Sequence, residues 1–114
     1  ASPVVSFNFT SIRFCVTYET SFGQELWMLG SAPYTGSWNP DQDGGKGGLR
    51  MTWGEGHVWF AEIPYSQIKG GNLEFKFMVK VNENGGRNFR VIRWEGGNIN
   101  HKYDDQHVNG MLNQ

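Results

Sequence analysis

Apolar residues in this chain recur at every second position, in short runs, and every run stops at a cluster of small or turn-forming residues. A period of two sets one side of an extended strand against a core and leaves the other wet, whereas a helix needs a period of 3.6. Val5, Phe7 and Phe9 alternate with Ser6 and Asn8, and Ile12, Phe14, Val16 and Tyr18 alternate with Arg13, Cys15 and Thr17. Further runs follow at QELWMLG (24–30), GLRMTW (48–53), HVWFAEIP (57–64), LEFKFMVKV (73–81) and RNFRVIRW (87–94). The breakers between them (SFG, GSWNPDQDGGKGG, GEG, KGGN, NENGG and EGGN) supply the backbone freedom that turns need. The pattern predicts an all-β chain: an antiparallel, immunoglobulin-like β-sandwich of about seven or eight strands, with a closed barrel as the alternative. The last strand is expected within His101 to Val108. Tyr65 to Lys69 is expected to form one short turn, and no segment has a helical period. No repeat or linker interrupts residues 1–114, so one domain is expected.

Charge narrows the function. Ten basic residues nearly balance eleven acidic ones. A duplex nucleic-acid binder needs a basic stripe, and an anionic membrane surface makes the same demand, so neither partner is expected. No stretch approaches the roughly 20 apolar residues of a membrane helix, and the start, ASPVVSFNF, lacks the features of a secretory signal. Cys15 is the single cysteine and is expected to be buried.

The segment NENGG (82–86) sets a hairpin register. With Asn84-Gly85-Gly86 as a three-residue loop, Glu83 faces Arg87. Phe75, Phe77, Val79 and Val81 then share a core face with Phe89 and Val91. Lys76, Met78 and Lys80 share the less buried face with Arg90, Ile92 and Trp94, and Lys76 lies directly opposite Trp94. Two readings of Trp94 remain open at this point. It packs under a loop with Lys76 over its ring, or it is an open platform. A sugar suits such a platform, because its axial C–H groups lie flat on an indole while its hydroxyls meet donors and acceptors at the rim.

Five elements in order resemble the starch-binding domain, carbohydrate-binding module family 20, over residues 12–103. They are GQELWMLGS (23–31), Gly36-Ser37-Trp38-Asn39-Pro40, WFAEIP (59–64), Glu74-Phe75-Lys76-Phe77 and Trp94-Glu95-Gly96-Gly97-Asn98. The resemblance implies a sandwich that binds α-1,4-glucan without cleaving it, and so a protein that is not itself an enzyme and needs no cofactor. It implies that Trp38 and Trp94 form the main platform. Lys76 and Asn98 then bond glucose hydroxyls, with Glu95 assisting. It also implies a possible second site on Phe22 and Trp53. Trp27 and Trp59 lie within strands and are expected in the core. The family further implies attachment to a larger enzyme, either an extracellular amylase or glucoamylase or an intracellular glucan phosphatase. The compartment stays open. Phosphorylated glucan is a variant ligand, with Lys76, Lys80 and Arg90 near the platform.

Other chemistries fit less well. Asp41 with Asp43, or Glu95 with Asp104, would have to flank a sugar for glycoside hydrolysis. The first two read as turn residues and Glu95 as a ligand contact. HKYDDQH (101–107) offers metal-ligand types but reads as a solvated terminal segment, so no metal is expected. GGKGG (44–48) lacks the ending of a phosphate loop. Asn8-Phe9-Thr10 is a glycosylation sequon within an expected strand. The competing function is an immunoglobulin-like protein-interaction module whose exposed aromatics meet a partner chain.

Overall fold

A computed structural model describes residues 2–107 and 110–112. Two antiparallel sheets face each other as a sandwich. The first has the order β1 (Val4–Asn8), β2 (Ser11–Thr17), β6 (Val58–Pro64), β5 (Thr52–Gly54). The second has the order β4 (Leu49–Arg50), β3 (Gln24–Gly30), β7 (Asn72–Glu83), β8 (Asn88–Trp94), with β9 (His101–Asp104) also beside β7. Among the described residues there are nine strands rather than seven or eight. The expected 48–53 strand is split. Leu49–Arg50 pairs with β3, the chain turns inward at buried Met51, and Thr52–Gly54 pairs with β6 in the other sheet. One run thus ties the two sheets together. Short 3₁₀ turns occupy Pro33–Thr35, Tyr65–Gln67 and Asn84–Gly86. Val108, the expected end of the last strand, lies outside the described residues.

The period-two pattern builds the inter-sheet core. Ile12, Phe14 and Val16 from β2 and Trp59, Ala61 and Ile63 from β6 meet Leu26, Met28, Leu73, Phe75, Phe77 and Val79 of the second sheet. Phe14 packs edge-on against both Phe75 and Tyr103, with centroids 5.3 and 5.7 Å apart. Emptying such a position by Phe-to-Ala substitution typically costs about 3–5 kcal/mol. Cys15, on the opposite side of β2 from Phe14, is half-buried rather than buried. The sequon does not sit in mid-strand. Asn8 pairs with Ser11, and Phe9 and Thr10 form the hairpin tip.

The hairpin register differs from the expected one. Glu83 faces Asn88, not Arg87, so the loop holds four residues, 84–87. The shift turns Phe89 and Val91 away from the main core and onto the outer face of the second sheet. There they pack with Trp27, Leu29 and Met78 in a separate small core. Phe89 and Trp94 are an odd number of residues apart and would face opposite sides of a regular strand. A bulge resolves this. Lys80 pairs with Val91 and Val79 with Arg93, so Ile92 is the extra residue. Trp94 therefore reaches the outer face after all, opposite Met78 rather than Lys76.

Candidate functional site

The outer face of the second sheet is not open to water. The chain from Ser31 to Gly48 folds back over it as a lid. Gly45 shows how tight the contact is, and Gly47 how closely the lid folds on itself. A Cβ on Gly45 would lie 1.8 Å from the Phe89 carbonyl oxygen, and one on Gly47 would lie 1.8 Å from that of Asn39. The glycine run GGKGG therefore serves close backbone packing.

Lys80 fastens the lid. Its side chain is fully buried, and its ammonium donates to the carbonyl oxygens of Pro40 (3.1 Å), Gly47 (2.8 Å) and Gly45. It also lies 4.0 Å from the centre of the Trp27 ring. A buried ammonium without partners costs several kcal/mol, and the three carbonyls and the indole face offset that cost. Burial pushes its pKa down to about 8, opposed by the charges of Asp41 and Glu25. Lys80 is thus unavailable to a ligand. Arg90 is exposed and pairs with Glu83 at 3.5 Å.

Trp38 rides on the lid. Its amide donates to Gly30 at the end of β3 (2.9 Å), while Ser37 donates to Ala32 and Asn39 to Gly36. Ser37 and Trp38 are both left-handed, with φ of 48° and 62°. Neither is glycine, so the surroundings must impose the conformation. The Trp38 side chain is 41% exposed and that of Trp94 48%. The two attach close together. Gly30, which holds Trp38, pairs with Phe75, and Trp94 pairs with Met78 three residues along the same strand. Lys76 lies between those points, on the same face as Met78.

The segment after Trp94 is held on three sides. The Glu95 amide donates to the Phe77 carbonyl (2.9 Å), and the Phe77 amide donates to one Glu95 carboxylate oxygen (3.0 Å). The other carboxylate oxygen is 2.7 Å from His101 Nε2. His101 is itself wedged against Phe75 and Phe77, with centroids 5.3 and 5.4 Å away. Lys76 Nζ donates to the Gly97 carbonyl at 2.9 Å. The Glu95 side chain is only 13% exposed and both its oxygens are engaged within the protein, which ties the loop to β7 and β9. Asn98 stands exposed at the loop's outer side.

A second aromatic cluster lies where β2 runs into β3 and β5 turns into β6. Phe22, Trp53, His57 and Trp59 line an open cleft of about 470 Å³. Phe22 is fully exposed and Trp53 half-exposed. Trp59, like Trp27, is otherwise buried as expected, donating its indole N–H to the Tyr18 carbonyl (3.1 Å).

Sequence reasoning missed Lys80 as a clamp, His101 as a partner and His57 in the cleft. His101 begins a strand whose Tyr103 is buried, so HKYDDQH is no freely solvated segment. Among the described residues no group of three His, Cys, Asp or Glu could hold a metal. Nor is any helix among them long and apolar enough to cross a membrane.

Comparison with known proteins adds three findings. The family profile described as "Starch binding domain" matches residues 9–110. None of the curated proteins compared with the chain matches it. A solved structure, a glycoside hydrolase family 15 glucoamylase from Hypocrea jecorina, superposes with a TM-score of 0.60 at 21% identity, which speaks to the fold. The match covers 95% of this chain and 17% of the glucoamylase chain.

Proposed function

Because the chain belongs to the starch-binding domain family, we propose that it binds α-1,4-glucan without cleaving it, stacking glucose rings on Trp38 and Trp94. The observation that carries this reading is a pair of half-exposed indoles, on separate elements, attached to one sheet on either side of Lys76. An α-1,4-glucan is a loose helix whose successive rings turn. Two indoles from a lid and a strand end can differ in tilt and follow that turn, whereas a flat β-1,4 chain suits coplanar rings. Asn98 and the Lys76 ammonium supply rim hydrogen bonds. Pre-set rings lose little freedom on binding. One shallow site of this kind gives about −4 to −8 kcal/mol, millimolar to micromolar.

Phe22 and Trp53 form a second, weaker contact for the same polymer in this reading. Two contacts on one module raise the apparent strength on a repetitive surface. In a longer protein the module would hold an attached enzyme against starch, glycogen or a related glucan.

The test is titration with β-cyclodextrin or maltoheptaose, followed by tryptophan fluorescence. Trp38→Ala and Trp94→Ala should each weaken binding by about tenfold or more with the fold intact. Trp53→Ala should lower the number of bound ligands and spare the tighter class. No response at millimolar glucan, with capture of a protein partner through the same rings, would support the interaction-module reading instead. Reducing ends released from maltoheptaose would refute the non-catalytic part.

A further inference from the structure

We infer that Lys80, which cannot reach a ligand, is a positioning residue for Trp38. The inference rests on the glucan-platform reading only for its effect on affinity. Its structural half stands alone.

Trp38 sits in a conformation that its own sequence does not favour. Two consecutive non-glycine residues are left-handed there, and such strain persists only where the flanks over-determine it. The upstream flank is fixed by backbone bonds to Ala32 and Gly30. The downstream flank, Asn39 to Gly48, has no strand pairing. Besides the packing of Gly44 and Gly45 on β8 and its flank, what ties it to the sheet is the Lys80 ammonium, which gathers the carbonyls of Pro40, Gly45 and Gly47 at one point beneath the lid. Pro40 is two residues from Trp38. Lys80 itself is held in place, since it lies in β7 between β3 and β8 with its ammonium over the Trp27 ring. A rigid strand therefore sets the indole's position through a buried cation rather than through packing of the indole itself, which is 41% exposed.

Lys80→Met keeps most of the stem and removes the cation. The three carbonyls lose their donor and the lid loosens, while the inter-sheet core, to which Lys80 does not belong, stays closed. Two readouts follow. Without ligand, amide hydrogen exchange at Trp38 should rise about tenfold or more, with amides of β2 and β6 unchanged. With β-cyclodextrin, Lys80→Met should weaken binding by about tenfold. The Lys80→Met/Trp38→Ala double variant should bind within about twofold of Trp38→Ala alone, whereas Lys80→Met and Trp94→Ala should combine more nearly additively. Gly45→Ala, which forces the lid off Phe89 from the other side, should reproduce the Lys80→Met exchange pattern and guards against a folding defect special to that variant.

Unchanged Trp38 exchange in folded Lys80→Met overturns the inference. Additive losses in the Lys80→Met/Trp38→Ala pair overturn it too, because they show an effect that does not pass through Trp38. If Trp38→Ala binds glucan like the wild type, the platform reading fails instead, and the exchange readout still decides the clamp.

Discussion

Glu95 ties the loop that follows Trp94 to β7 and to β9. One oxygen takes the Phe77 amide, and the other takes His101. Leaving a buried amide unpaired costs about 1–3 kcal/mol. Glu95→Ala should therefore lower urea-unfolding stability by about that amount and weaken glucan binding as well. Glu95→Gln, which keeps an acceptor for Phe77, should lose less of both. Equal losses in the two variants would mean that the carboxylate charge, not the acceptor, is what counts. Lys80 follows the same logic from the opposite charge. In each case a polar side chain is engaged within the protein close to an exposed aromatic residue.

At the scale of elements, the end of β9 is tied down further by the residue that follows it. The Asp105 carboxylate accepts from Tyr65 (2.6 Å), the Gly70 amide (2.7 Å) and Tyr103 (3.1 Å). These bonds, led by that from Tyr65, hold its pKa below the usual 3.8. A depressed folded pKa means stability that is present above the unfolded value and lost as pH falls through the folded one. Asp105→Asn should thus lower the melting temperature at pH 7 and flatten the loss of stability below about pH 4. An acid profile unchanged in slope would show that other carboxylates dominate. Strands were legible in the sequence because period-two burial is a local signal. The β7–β8 register was not, because it depended on whether the turn held three or four residues. NENGG permits both. The bulge at Ile92 was also invisible, since it exists to bring Phe89 and Trp94 to one face, and the need for that appears only once the lid covers the sheet.

At the scale of the molecule there are three layers, not two: sheet, sheet and lid, with a main core and a small one. The family resemblance points to Trp38 and Trp94 in the sequence, but nothing there points to the contacts beneath them. A lysine in a strand next to glycine-rich loops gives no hint that it will be buried under them, because its carbonyl partners lie 33 to 40 residues away. Net charge of −1 also acts at this scale. Stacking on a neutral sugar releases no counterions, so affinity for β-cyclodextrin should change less than about twofold between 50 and 500 mM salt. A steep salt dependence, measured by the same fluorescence titration, would indicate a charged ligand.

β8 and β9 take successive stretches of one edge of β7, residues 78–83 and 72–75, and the chain between them leaves the edge after Glu95 and returns at His101. No ladder passes through Gly96 to Asn100. Residues inserted there would lengthen an outward excursion without moving any paired strand, so the surface beside Trp94 could be reshaped by local additions while the scaffold keeps its geometry.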